Sequence, residues 1–142
     1  MSANPQIAVE VENGTSRRSM VWLGRTLVGL VTLFFLLDAG IHVALPGPVV
    51  EAMNHLGFPM ASARAIGVLE LACLLLYLLP ATAPIGAVLL TGLLGGAVAA
   101  HVRVGDPVFD TYVFPVIVGA LIWGGLGLRD ARVRALLPWT RS

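Results

Sequence analysis

Two ionisable residues interrupt the first long apolar stretch of this chain, "LFFLLDAGIHVALPG" over 33–47: Asp38 and, four residues on, His42. On a helix that spacing stacks a carboxylate and an imidazole on one face. A third, Glu70, stands inside "IGVLELACLLLYLLP" over 66–80. Carboxylates and imidazoles in apolar surroundings take up and release protons, or hold a polar ligand or an ion. A charged group near the middle of a bilayer costs about 2.5–3.5 kcal/mol, so each needs a compensating role.

The elements that must position these groups follow from composition. The chain has 142 residues, 57% hydrophobic and 12% charged. A soluble domain of this size needs more polar surface, so the class is an integral all-α membrane protein of one domain. Its four apolar stretches, 21–45, 62–79, 84–102 and 111–128, each approach the ~17–25 residues of a membrane-spanning helix. Residues 1–20 are polar and aperiodic and read as a flexible cytoplasmic tail. Residues 129–142 read as a basic cytoplasmic tail on anionic lipid, with Trp139 as an interfacial anchor. Pro80 and Pro84 bracket a tight "PATAP" turn, making the second and third spans a hairpin. Arg17, Arg18 and Arg25 precede or open the first span, and Arg129, Arg132, Arg134 and Arg141 follow the fourth. This bias predicts both termini in the cytoplasm. In the first outer loop, Val49, Val50, Met53 and Leu56 share a helical face, which predicts a short amphipathic helix at the outer interface.

At about 1.5 Å per residue, Asp38 falls ~10 Å below the outer end of its helix and Glu70 ~12 Å below the same surface. His42, Arg64, His101 and Arg103 also fall in the outer half. On the third span, Gly92, Gly96, Ala99 and Arg103 lie along one face. That small-residue seam predicts a close helix neighbour and an Arg103 directed toward Asp38 or Glu70. His101 lies roughly opposite the seam. Tyr77 shares the face of Glu70.

Two readings of this layer stay open. In one, Asp38, Glu70 and Arg103 form a structural charge network. In the other, Asp38, His42, Glu70, Tyr77, His101 and Arg103 line an outward-facing pocket, with Asp38 and Glu70 as the candidate catalytic, proton-exchanging groups. A metal site is not expected; His42 and His101 would supply its imidazoles, but the ligand spacing is not diagnostic. The single cysteine, Cys73, excludes an intrachain disulfide and a CxxC pair and reads as a buried apolar residue. No phosphate-binding loop, GxSxG or HExxH is present. The arginines flank membrane spans, so the partner is lipid and not nucleic acid.

The blocks "LLDAGIHVALPGPVVEAMNHLGFP", "IGVLELACLLLYLLP", "LLTGLLGGAVAAHVRVGDPVF" and "VFPVIVGALIWGGLGLRDARVRALLP" together resemble the DoxX-like family of small bacterial membrane proteins. The resemblance covers about 30–138. It implies a four-helix bundle in the bacterial cytoplasmic (inner) membrane. The wider DoxX and DoxD group is associated with a thiosulfate:quinone oxidoreductase and with membrane-linked oxidative-stress complexes. By that resemblance the chain is expected to be an accessory or catalytic component of a quinone-linked redox system, with a redox partner protein or further copies of itself. No redox cofactor is encoded by a motif, so electrons would come through quinone or a partner. A non-enzymatic scaffold or chaperone subunit is the alternative, and a small-solute or proton carrier the third.

Overall fold

The computed structural model of the chain describes residues 5–135, and among these every regular element is helical. The helices are α1 (Pro5–Ala44), α2 (Gly47–His55), α3 (Met60–Leu78), α4 (Ala83–Val104), α5 (Val108–Arg129) and α6 (Ala131–Arg134). Four stretches are long and apolar enough to cross a membrane: Arg18–Ala44, Met60–Leu78, Ala83–Val104 and Thr111–Arg129. In lipid the backbone must bond to itself, and a helix does so within one segment. The protein is a four-helix membrane bundle. α1 and α4 each pack against α3 and α5, closing a ring in the order α1, α3, α4, α5. Short connections make successive spans antiparallel. One end of the bundle therefore carries α2 and the α4–α5 turn; the other carries α6, the α3–α4 turn and the N-terminal part of α1.

α1 differs from the expected tail over 1–20, because its helix begins at Pro5. Proline is tolerated there, since the first helical amides have no partner to lose. A helix without an apolar stripe leaves no periodic signal in sequence. Residues 1–4 and 136–142, including Trp139, lie outside the described residues.

Only 17–33% of each span is buried inside the protein, so most of the apolar surface faces lipid. The two halves of the bundle pack differently. Toward the α6 end, Val31, Phe35, Leu74, Tyr77, Leu90, Ile122 and Leu126 form a dense core. Gly86 lets α4 press against α3 there: a Cβ at Gly86 would sit 2.2 Å from the Tyr77 backbone nitrogen. At the α2 end, the buried cluster is small: Val49, Met53 and Ala63, with Leu45, Met60 and Ile66 against it. Leu45 turns the chain from α1 into α2 in the left-handed region, at φ 54°. That conformation costs a leucine about 1–2 kcal/mol, and packing against the α2 cluster offsets it. The buried residues of α2, Val49 and Met53, belong to the apolar face read from sequence.

The glycine seam of α4 meets no neighbouring helix. A Cβ added at Gly92, Gly95 or Gly96 would find nothing within 4 Å. Gly92 and Gly96 instead line a cavity of about 1070 Å³ in the half of the bundle nearer α2.

Candidate functional site

The cavity lies between the four spans, with α2 across its end. α2 contributes Val49, Ala52, Met53 and Leu56 to its lining. Phe34 and Phe114, ring centroids 5.3 Å apart, form part of the apolar wall. Val88, Leu89 and Phe114 line the cavity and are also exposed, so it opens sideways to the lipid.

Asp38, His42 and Glu70 form one polar patch in this wall. α1 supplies the first two and α3 the third. Gly67 makes the meeting possible. A Cβ there would lie 2.9 Å from the Ala39 carbonyl oxygen and 3.1 Å from the His42 Cβ, so only glycine lets α3 come this close. One turn further along α3, Glu70 then reaches His42. The His42 Nδ1 lies 3.5 Å from Glu70 Oε2 and 3.9 Å from Asp38 Oδ1. His42 Nδ1–H donates to the Asp38 carbonyl oxygen at 3.0 Å, since a carbonyl can only accept. Glu70 is 5% exposed, and its Oε2 is buried without a hydrogen-bond partner. Among the described residues, Asp38 and Glu70 form ion pairs with His42 alone. Two carboxylates facing one imidazole in apolar surroundings need protons or a cation to balance them.

Two expected members of the layer lie elsewhere. Arg103 does not turn to Asp38 or Glu70: its Nη2 donates to the Leu56 carbonyl, and its guanidinium lies 6.0 Å from the Phe58 ring centroid. The reason is its position at the end of α4, beside the C-terminal end of α2, where an unpaired carbonyl offers a better partner. Tyr77 shares the buried face of α3 with Glu70 but lies nearly two turns farther toward the α6 end. Its hydroxyl donates to the Ile122 carbonyl at 3.0 Å, and the Arg129 Nη2 donates to the Tyr77 backbone carbonyl at 3.3 Å. It is core and not pocket wall. Cys73 is buried and lines the cavity one turn from Glu70.

His101 lines the cavity without joining His42. It belongs to a second cluster that includes Asp106, a residue the sequence reading passed over. α4 ends at Gly105, at φ 81°, where a side chain would be strained. The turn carries Asp106 back over the helix end. His101 Nδ1–H donates to Asp106 Oδ2 at 2.5 Å, and His55 Nε2–H donates to Asp106 Oδ1 at 2.8 Å. Asp106 therefore ties α2 to α4, beside the Arg103–Leu56 bond that does the same. The sequence signal was "VGDP": a turn glycine, then an acid, five residues after a histidine.

The hydrogen bonds from His101 and then His55 hold the Asp106 carboxyl below its usual value of 3.8. A carboxyl whose value falls on folding contributes stability above its unfolded value, and loses it as pH drops through the folded one. The carboxylate's contribution to the α2 tie is thus present above about pH 4 and is lost progressively below it. Asp106→Asn should remove the charge-assisted part at neutral pH. The expected result is severalfold faster amide hydrogen exchange in α2, with α3 and α5 unchanged; equal protection of α2 in the variant would show that Asp106 does not hold it.

A family profile described as DoxX-like matches residues 26–125. The chain belongs to the DoxX-like family. The matched segment runs from α1 into α5, so the cavity and both polar clusters of this DoxX-like bundle fall inside it. No curated protein and no solved structure matches the chain.

Proposed function

We propose that this DoxX-like protein is an accessory or catalytic component of a quinone-linked redox system in the bacterial inner membrane, with both termini cytoplasmic, and that its cavity takes the quinone ring. The observation that carries this reading is the pairing of a large apolar cavity with the Asp38–His42–Glu70 patch in its wall. Its volume lies just above the ~300–1,000 Å³ of small-molecule sites. The sideways opening past Val88, Leu89 and Phe114 suits a ligand that arrives dissolved in lipid. Reducing a quinone takes two electrons and two protons. The electrons come from a membrane redox partner, because no redox cofactor is encoded by a motif. The protons pass through Asp38 and Glu70, with His42 between them.

A structural charge network would have favoured the scaffold reading, but its cation, Arg103, is bonded to Leu56. Binding decides the matter. The chain in lipid nanodiscs should bind a short-chain quinone saturably at one site. Gly92→Phe, which projects a ring into the open space of the cavity, should abolish binding without unfolding the bundle. Asp38→Asn should weaken it about tenfold, the worth of one charge-assisted hydrogen bond. Absence of saturable binding, or binding indifferent to Gly92→Phe, overturns the reading.

A further inference from the structure

We propose that Asp38, His42 and Glu70 form a binding site for one first-row divalent metal ion. One ligand atom from each of the three residues lies within 4.8 Å of the other two. Around an ion with bonds of 2.0–2.2 Å, neighbouring ligand atoms stand about 3–3.6 Å apart. The separations from His42 Nδ1 are 3.5 Å to Glu70 and 3.9 Å to Asp38, and all three ligand atoms lie within 4.8 Å of one another, so an inward closure of about 1 Å or less brings them to that frame.

A cluster of acids alone would not carry this. The second observation is Glu70 itself: a carboxylate more than nine-tenths buried, whose Oε2 makes no hydrogen bond and whose charged neighbour, the His42 Nδ1 at 3.5 Å, is another of the three ligands. A buried acceptor without a donor costs about 1–3 kcal/mol, more when charged. The helices nevertheless converge at Gly67 to hold it there. Charge points the same way. Ionised Asp38 and Glu70 carry two negative charges, a divalent ion carries two positive, and no arginine is paired with either carboxylate among the described residues. The imidazole favours a transition-metal dication over magnesium or calcium, which take oxygen ligands. On binding, the ring takes the tautomer with its proton on Nε2, the Nδ1 hydrogen bond to the Asp38 carbonyl is given up, and any carboxyl protons are released. The proposal stands on the geometry of the cluster and not on the quinone reading. The two are linked in one respect: an ion held by Asp38 and Glu70 displaces their exchangeable protons, so the metal-loaded and proton-exchanging states exclude each other.

The test uses the untagged full-length chain in nanodiscs, without quinone, titrated with Co²⁺ and then with Zn²⁺. The expected result is one Co²⁺ per chain, with visible d–d absorption, displaced stoichiometrically by Zn²⁺. Glu70→Gln and His42→Gln should each weaken binding at least a hundredfold. His55→Gln and His101→Gln should leave it unchanged, which separates this site from the Asp106 cluster. Should Glu70→Gln fail to fold, Asp38→Asn with His42→Gln decides. No bound Co²⁺ at millimolar concentration, or binding lost with His55 or His101 and retained without His42, overturns the proposal. Because quinone is absent, failure of the quinone reading leaves this result untouched.

Discussion

Gly86→Ala should lower the thermal unfolding midpoint of the detergent-solubilised bundle by about 10 °C or more, whereas Gly92→Ala, Gly95→Ala and Gly96→Ala should leave it unchanged or raise it by about 3 °C. The difference lies in what each added methyl would meet. At Gly86 it would fall 2.2 Å from the Tyr77 nitrogen, 2.4 Å from the Tyr77 Cα and 2.7 Å from the Leu76 carbonyl carbon. All three are backbone atoms, so no side-chain rotation relieves the clash, and α3 and α4 must part. Overpacking costs about 1–3 kcal/mol where side chains can adjust; here the cost sits at or above the top of that range. For a chain of this length about 3 kcal/mol corresponds to ~10 °C. The damage would spread, because Tyr77 anchors the dense half of the bundle through its bond to Ile122 and packs with Leu74, Ala83 and Ala87. At the three α4 glycines the methyl finds open space, and alanine is the better helix former by about 1 kcal/mol. A midpoint rise shared by all four variants would show that glycine acts through helix propensity and not through the α3–α4 contact.

That contrast also marks what could be read from sequence. The spans were legible because an apolar run of membrane length has few alternatives. The meeting of Asp38, His42 and Glu70 was half legible: the first two share a face by spacing, and depth put Glu70 level with them. What brought Glu70 within reach was Gly67, and nothing in the sequence separates Gly67, which touches another backbone, from Gly92, which touches nothing. The same ambiguity misdirected Arg103. Small residues on one face of α4 promised a neighbouring helix, but a cavity stands there, so the arginine at the end of that face had no carboxylate to meet and took the Leu56 carbonyl. Tyr77 failed for a simpler reason. Sharing a face with Glu70 says nothing about depth, and seven residues are roughly 10 Å along a helix. The cavity itself has no linear signature, because Phe34, Met53, Leu93 and Phe114 come from four different helices.

Glu70→Leu should stabilise the bundle while removing whatever the cavity binds. Leucine is close to glutamate in size and satisfies an apolar wall, and the substitution removes a buried carboxylate oxygen that has no donor. Leaving such a group unpaired costs about 1–3 kcal/mol, so its removal should raise the unfolding midpoint by roughly 3–10 °C. Natural proteins keep a destabilising buried group chiefly where it does something the fold does not need. A gain in stability with loss of quinone or metal binding is the signature of a group retained for function. The opposite signature belongs to a structural network, in which removing one charge strands its partner. His42 would then lose the nearer of its two carboxylates and keep only Asp38 at 3.9 Å, and Glu70→Leu would cost stability, by as much as the ~3–5 kcal/mol of losing one partner from a buried ion pair. Thermal unfolding of the wild-type, Glu70→Leu and Asp38→Asn/Glu70→Leu chains in one detergent separates the two. If the single variant melts lower and the double variant recovers, the cluster holds the helices together and the pocket reading falls. If both melt higher, α1 and α3 are held by Gly67 and the apolar contacts, and the three polar groups are free to serve a ligand.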